Sequence, residues 1–272
     1  MALILGVNEN VPNKEYHADR TYLSSSVLKV ILEDLAEYKR QYIDGGARTA
    51  PSNQAALDEG SYAHSMILEP HLLDKDYAIF PGPIKKGKEW DAFKENVSPH
   101  VTIISAPQKA RLNSLLKAYE VRAEAVELMQ GTKVEHTLCV ELDGVRIKVR
   151  ADAIKPGTII DIKTTGYPGS ADQFKQTVQQ LNYQLSGALY SMAYEQHFGQ
   201  PFDFYFIVLS KRDYNCEIYK LGKDSMAQGR SMVKEALRKY KKALDSGLWI
   251  EHTEEVENKE ETGVGKYEIV EV

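Results

Sequence analysis

The chain has 272 residues, 43% hydrophobic and 27% charged, with a net charge of −5. That is the composition of a soluble globular chain, long enough for one large domain or two small ones, and no apolar run reaches the length of a membrane span. The charge is uneven: residues 251–272 hold eight acids and two lysines, −6 against the total of −5, so the rest is close to neutral and leaves room for a local basic groove.

The opening MALILGVNEN lacks a basic start and a small-residue cleavage site, and it reads as an edge strand or ordered arm. Ser24 to Ser26 precede Val27, Leu28, Ile31, Leu32 and Leu35, a serine-capped amphipathic helix running to about Tyr42, with Lys39, Arg40 and Arg48 at its far end. Residues 44–53 are a loop by composition. A second helix follows from about Gln54 to Leu68 and carries Gly60 and His64; a lone histidine there reads as structural or as a ligand. Residues 70–107 hold five prolines and read as a long, poorly regular segment. Lys85, Lys86, Lys88 and Trp90 allow two readings there, contact with a polyanion or a loop tucked down by the tryptophan.

Residues 107–130 read as a helix or helix pair, with apolar positions at Leu112, Leu115, Leu116, Tyr119, Val126 and Met129. Val134 to Leu142 alternates and meets Val145 across Asp143-Gly144, a strong two-residue hairpin signal. Glu135 reads as a surface strand charge or an accessory acid. Phe174 to Phe198 has the apolar stripe of one long helix, with Gln176, Gln180, Tyr183, Gln184 and Gly187 on another face. Phe202–Leu209 and Cys216–Leu221 read as two further strands. Asp224 to Leu244 is a closing helix with a basic face of Arg230, Lys234, Arg238 and Lys241. Cys139 and Cys216 lack metal-type spacing and read as buried thiols in a reducing, cytoplasmic compartment. The expected layout is one domain over residues 1–250 and an acidic tail, suited to docking a basic partner, over 251–272.

The stretch that organises the chain is VRIKVRADAIKPGTIIDIKTT, residues 145–165. Two β-rich runs flank the Pro156-Gly157 turn. Asp161 and Lys163 are two apart and share a strand face, and the turn can bring Asp152 against them. Asp-x-Lys on a strand is most often a solvated pair, but these charges lie among Ile154, Ile159, Ile160 and Ile162, where an unpaired charge is costly. In the first run Arg146, Lys148, Arg150 and Asp152 share one parity and Val145, Ile147, Val149 and Ala151 the other, one face for the core and one for an anionic ligand. Two carboxylates and an ammonium converging at a sheet end make a divalent-cation site with a charged helper.

Asp152 followed by Asp161-Ile162-Lys163-Thr164-Thr165 resembles the core motif of the PD-(D/E)xK nucleases, and the fuller pattern resembles the RecE-type exonucleases (exodeoxyribonuclease VIII). The Tyr-His…Leu-Ser-x-Ser-x-Leu-Lys opening and the Gly60-x-x-x-His64…Leu68-Glu69-Pro70 stretch resemble the same family. The resemblance implies an α/β fold, a mixed central β-sheet of about five strands flanked by helices with a helical N-terminal region. It implies that His64, Asp152, Asp161 and the carbonyl of Ile162 hold Mg²⁺ or Mn²⁺, with Lys163, Asp161 and Asp152 catalytic. Its Gln-x-x-x-Tyr motif would place Tyr190 near the metal, but Ser186 stands where the glutamine belongs. Gln180 or Gln184 is then the candidate replacement, with Tyr183 and Arg150 further substrate contacts. The implied activity is digestion of linear double-stranded DNA from its ends, 5′ to 3′, in a homo-oligomeric ring handing 3′ single strands to a single-strand annealing protein in a bacterial or phage-infected cell, with no membrane involved. An endonuclease on the same core, or a silent DNA- or partner-binding protein, remains the alternative.

Overall fold

The structure is a computed structural model that describes residues 2–47 and 53–250. The acidic tail, Arg48 and the middle of the 44–53 loop lie outside the described residues. In chain order the elements are β1 (Gly6–Asn8), α1 (Asn13–Ala18), α2 (Ser25–Glu33), α3 (Leu35–Tyr38), α4 (Gln54–Leu68), α5 (Leu73–Asp76), β2 (Tyr77–Phe80), α6 (Lys88–Glu95), β3 (Thr102–Ser105), α7 (Ala106–Glu120) and α8 (Ala123–Met129). There follow β4 (Lys133–Leu142), β5 (Val145–Lys155), β6 (Thr158–Thr165), α9 (Ala171–Gln180), α10 (Tyr183–Phe198), β7 (Asp203–Ser210), β8 (Asn215–Lys220) and α11 (Lys223–Ser246).

The main sheet has six strands in the order β1-β4-β5-β6-β7-β8, one more than the expected five. It is mixed: β6 and β7 run parallel and the other neighbours antiparallel. The N-terminal arm supplies the edge strand, as its sequence suggested. Asp143 and Gly144 both have positive φ, +49° and +78°, the backbone a tight hairpin needs to match strand twist. Gly157, at +72°, makes the second turn possible after Pro156. The crossover through α9 and α10 lets β7 return parallel to β6.

Helices cover both faces of the sheet. On one side α2, α3, α9, α10 and α11 close over Ile147, Val149, Ile159, Phe204, Phe206 and Val208. On the other, α4, α7 and α8 close over Ala153, Ile160, Ile162, Ile207 and Leu209. Ala151 joins the first core and Ala153 the second, so the alternation of faces slips between them, at Asp152.

Three sequence readings change. The helix expected from Ser24 to Tyr42 breaks at Asp34, whose carboxylate caps the amides of Ala36 and Glu37, and a π-helical turn, Lys39–Ile43, ends the segment. The helix expected from Phe174 to Phe198 is two helices, because Asn182 takes a left-handed conformation at φ +50°. The segment 70–107 is ordered into short helices and a two-stranded parallel sheet of β2 and β3. Trp90 stacks edge-on to Phe80, so the tucked-down reading of that tryptophan holds.

Candidate active site

The site grows out of a fork in the sheet. β5 and β6 pair at Lys155↔Thr158, Ile154↔Ile159 and Ala153↔Ile160, and there the ladder ends. One step further the same register sets Asp152 opposite Asp161. The strands diverge at that point, so the Ile162 N–H donates instead to Asp152 Oδ2 at 2.6 Å. An amide freed from a ladder must find another acceptor, and here it fixes a carboxylate. β6 stays paired with β7 through Asp161↔Phe206 and Lys163↔Val208, which holds the Asp161-x-Lys163 side of the fork rigid.

Asp161 is buried, and Lys163 Nζ stands 2.6 Å from its Oδ2. The ammonium is the partner of that buried oxygen, so the Asp161 carboxylate is held by charge pairing. Burial works to discharge Lys163, but Asp161 and Asp152 outweigh it and raise its pKa, holding the ammonium charged. Burial raises Asp161, with Lys163 pulling the other way.

His64 comes from α4. Asn53 caps this helix at the Ala56 amide, and Tyr62, Ala63 and Met66 pack it against Ile160 and Ile162. His64 Nδ1 then lies 3.4 Å from Asp152 Oδ2. The helix is also pinned by Glu59, which accepts from Arg111 Nη2 at 2.8 Å and from Gln108 and Lys211, each at 3.2 Å. Glu135 is a further acid at the fork. It falls at the β4 position facing Asp152, where its φ of +48° interrupts the pairing between Val134↔Ala153 and His136↔Ala151. Burial first, then Asp152, push its carboxyl up to about 7 against the pull of Arg150. Its alternation pattern gave no sign of the left-handed turn that puts it there.

Tyr183, the first residue of α10, places its ring 5.0 Å from Lys163 Nζ. Tyr190 is half-buried one layer below, edge-on to Phe204, and burial raises its hydroxyl far above the usual tyrosine value. Gln180 sits exposed at the end of α9. Two of the expected substrate contacts have partners within the chain. Gln184 is buried against α11, with its amide nitrogen 3.7 Å from Met232 Sδ and 3.3 Å from Gln179 Oε1, because the two helices pack tightly there. Arg150 is taken up by its own chain: it donates to Thr137 Oγ1 and to the Val11 carbonyl, both at 2.9 Å, and lies over the Tyr16 ring. Lys148, on the same face, is buried and donates to the carbonyls of Tyr16 and Asp19. On the polar face of β5, Lys148 and Arg150 therefore anchor the N-terminal arm. The basic face of α11 is likewise engaged, with Arg230 on Glu195, Arg238 on Glu235 and Lys241 on the Asp143 carbonyl.

The donors at the fork, two carboxylates and an imidazole, suit a hard divalent cation. Among the described residues no three His, Cys, Asp or Glu side chains already stand together as a metal cluster. The Lys163 ammonium neutralises Asp161 instead.

A mixed sheet, helices on both faces and a fork presenting Asp152 against Asp161-x-Lys163 define a PD-(D/E)xK nuclease-type fold. The chain belongs to the family described as "PDDEXK-like domain of unknown function (DUF3799)", whose pattern matches residues 24–262. No curated protein matches it. A crystal structure titled "Putative exonuclease" from Eubacterium rectale is similar across 97% of both chains, at 17% identity and a TM-score of 0.66, which is a likeness of fold. A second structure, SSO0001, is matched over 65% of this chain and 85% of its own at 14% identity and a TM-score of 0.29. Among the described residues no helix is long and apolar enough to cross a membrane.

Proposed function

We propose that the protein is a divalent-metal-dependent exodeoxyribonuclease that digests linear double-stranded DNA from its 5′ ends. The observation that carries this reading is the fork itself, a buried Asp161 paired with the Lys163 ammonium and set opposite Asp152, which the Ile162 amide holds. Asp152, Asp161, His64 and the Ile162 carbonyl would hold the ion, Mg²⁺ or Mn²⁺, which when bound lowers the pKa of a water and offsets charge on the phosphate. Asp152 is kept in place by the Ile162 amide. The Lys163 ammonium, held protonated by two carboxylates, stabilises the growing charge on phosphate oxygens; it orients the attacking water rather than deprotonating it. Tyr183 borders the same ammonium with an aromatic face on which a base can stack. The fold likeness to a protein titled "Putative exonuclease" supports end-dependence, and the family resemblance supports 5′ polarity, a ring and an annealing partner.

The test is digestion of linear duplex labelled separately at its 5′ and 3′ ends, beside a closed circle, with Mg²⁺ and with chelator. Loss of 5′ label from linear DNA alone, stopped by chelator, supports the reading. Equal cutting of the circle replaces it with an endonuclease, and no cutting with Mg²⁺ or Mn²⁺ leaves a binding protein.

A further inference from the structure

A second lysine reaches the site from α2, an element apart from the strands that carry Asp152, Asp161 and Lys163. Lys29 lies on α2, and its ammonium donates to the Leu181 carbonyl at 2.6 Å. That carbonyl lies at the end of α9, where a helix leaves its last carbonyls without intrahelical partners, and the left-handed Asn182 then turns the chain into α10. The same ammonium is 5.3 Å from the centroid of the Tyr183 ring, and Lys163 is 5.0 Å from that centroid. Two lysines from distant parts of the chain therefore share one aromatic side chain beside the fork.

This arrangement works against the isolated protein. Lys29 is half-buried, and burial together with the Lys163 charge pulls its ammonium down to about 8, with Asp161 and Glu33 opposing. Two like charges crowded at a half-buried ring are repaid when an anion lies between them. One hydrogen bond to a carbonyl does not need an ammonium, since a neutral donor would serve. The Leu181 bond orients the nitrogen and leaves its other N–H groups for a ligand.

Resting on the nuclease reading, we propose that Lys29 is a second phosphate-binding cation of the active site, contacting a backbone phosphate next to the one held by Lys163, with Tyr183 between the two. The α9–α10 break at Asn182 is then what aims both the anchoring carbonyl and the ring.

The test uses the whole chain and a short linear duplex in chelator, where no cutting occurs, with affinity measured across a salt series. Each phosphate neutralised by a cation contributes roughly 0.9 to the slope of log affinity against log salt. Lys29→Gln keeps a donor for Leu181 without the charge, and is expected to reduce the slope by about that one contact. Lys29→Arg keeps the charge and should retain the slope. A structural role alone predicts the reverse pattern: Gln preserves binding and Arg disturbs it. An unchanged slope in Lys29→Gln overturns the proposal. If that variant loses its thermal transition, Lys29→Met provides a second neutral side chain for the same comparison. Cleavage is assayed in parallel with Mg²⁺. A Lys29-dependent slope in a protein that cuts nothing removes the nuclease reading and keeps the phosphate contact. Normal cutting with an unchanged slope removes only the contact, and absence of any DNA binding removes both.

Discussion

Replacing Glu135 by glutamine should stabilise the protein, by an amount that grows as pH rises above about 4.5. Its carboxyl is raised from 4.5 to about 7 by burial and by Asp152. That difference corresponds to a penalty of about 3 kcal/mol on the ionised form. Below pH 4.5 both the folded and unfolded chains hold the proton, and nothing is lost. Between 4.5 and about 7 the unfolded chain releases its proton while the folded chain keeps it, so stability falls as pH rises. Above that range the loss is complete. Glutamine cannot ionise, so the variant escapes the loss; the pull of Arg150, whose Nη1 lies 3.7 Å from Glu135 Oε2, is already contained in the raised value. Between pH 5 and pH 8 the gap in favour of Glu135→Gln should widen by on the order of 2 kcal/mol, or roughly 4–8 °C in the unfolding midpoint of a chain this long. Thermal unfolding of both proteins in chelator at several pH values measures it. Midpoints that run parallel from pH 5 to pH 8 would refute the reasoning, because they would mean that Glu135 ionises at its ordinary pH.

Two other perturbations follow from the same geometry. Glu59→Ala strands Arg111, Gln108 and Lys211, and should cost about 2 kcal/mol at neutral pH by urea unfolding. Burial raises the Glu59 carboxyl, but these three partners outweigh it and hold it below its ordinary value, so its contribution is present above the unfolded pKa and fades as pH falls through the folded one. Asp152→Ala leaves the Ile162 amide without its acceptor, and should lower stability by about 1–3 kcal/mol while abolishing any metal-dependent cutting; unfolding and digestion assays on one preparation check both.

Much of the fork was legible in the sequence because it depends on short-range rules. Parity on a strand placed Asp161 and Lys163 together, Asp143-Gly144 fixed the first hairpin, and Pro156-Gly157 fixed the second and with it Asp152 opposite Asp161. His64 was carried by resemblance and then by the packing of α4. What could not be read was decided by single backbone choices or by partners far along the chain. Asn182 and Glu135 take left-handed conformations that apolar periodicity does not register, and the first of these starts α10 at Tyr183, whose ring lies by Lys163 while the next residue, Gln184, is buried under α11. Arg150 and Lys148 have the parity expected of a ligand face, but the N-terminal arm, more than 120 positions earlier, covers them. The β2–β3 pair was hidden because two four-residue strands, separated by a helix and several prolines, carry too little pattern to be seen.

The most direct measurement of the central claim is turnover of linear duplex by Lys163→Met beside the wild type, with Mg²⁺ and with Mn²⁺, after both proteins are shown to bind the duplex in chelator. The account predicts that binding survives and that cutting falls by at least about a hundredfold, the loss expected when a preorganised charge is removed from a phosphate transition state. A variant that still cuts within a few fold of the wild type would show that Lys163, and the fork it completes with Asp152 and Asp161, is not where the phosphodiester bond is broken.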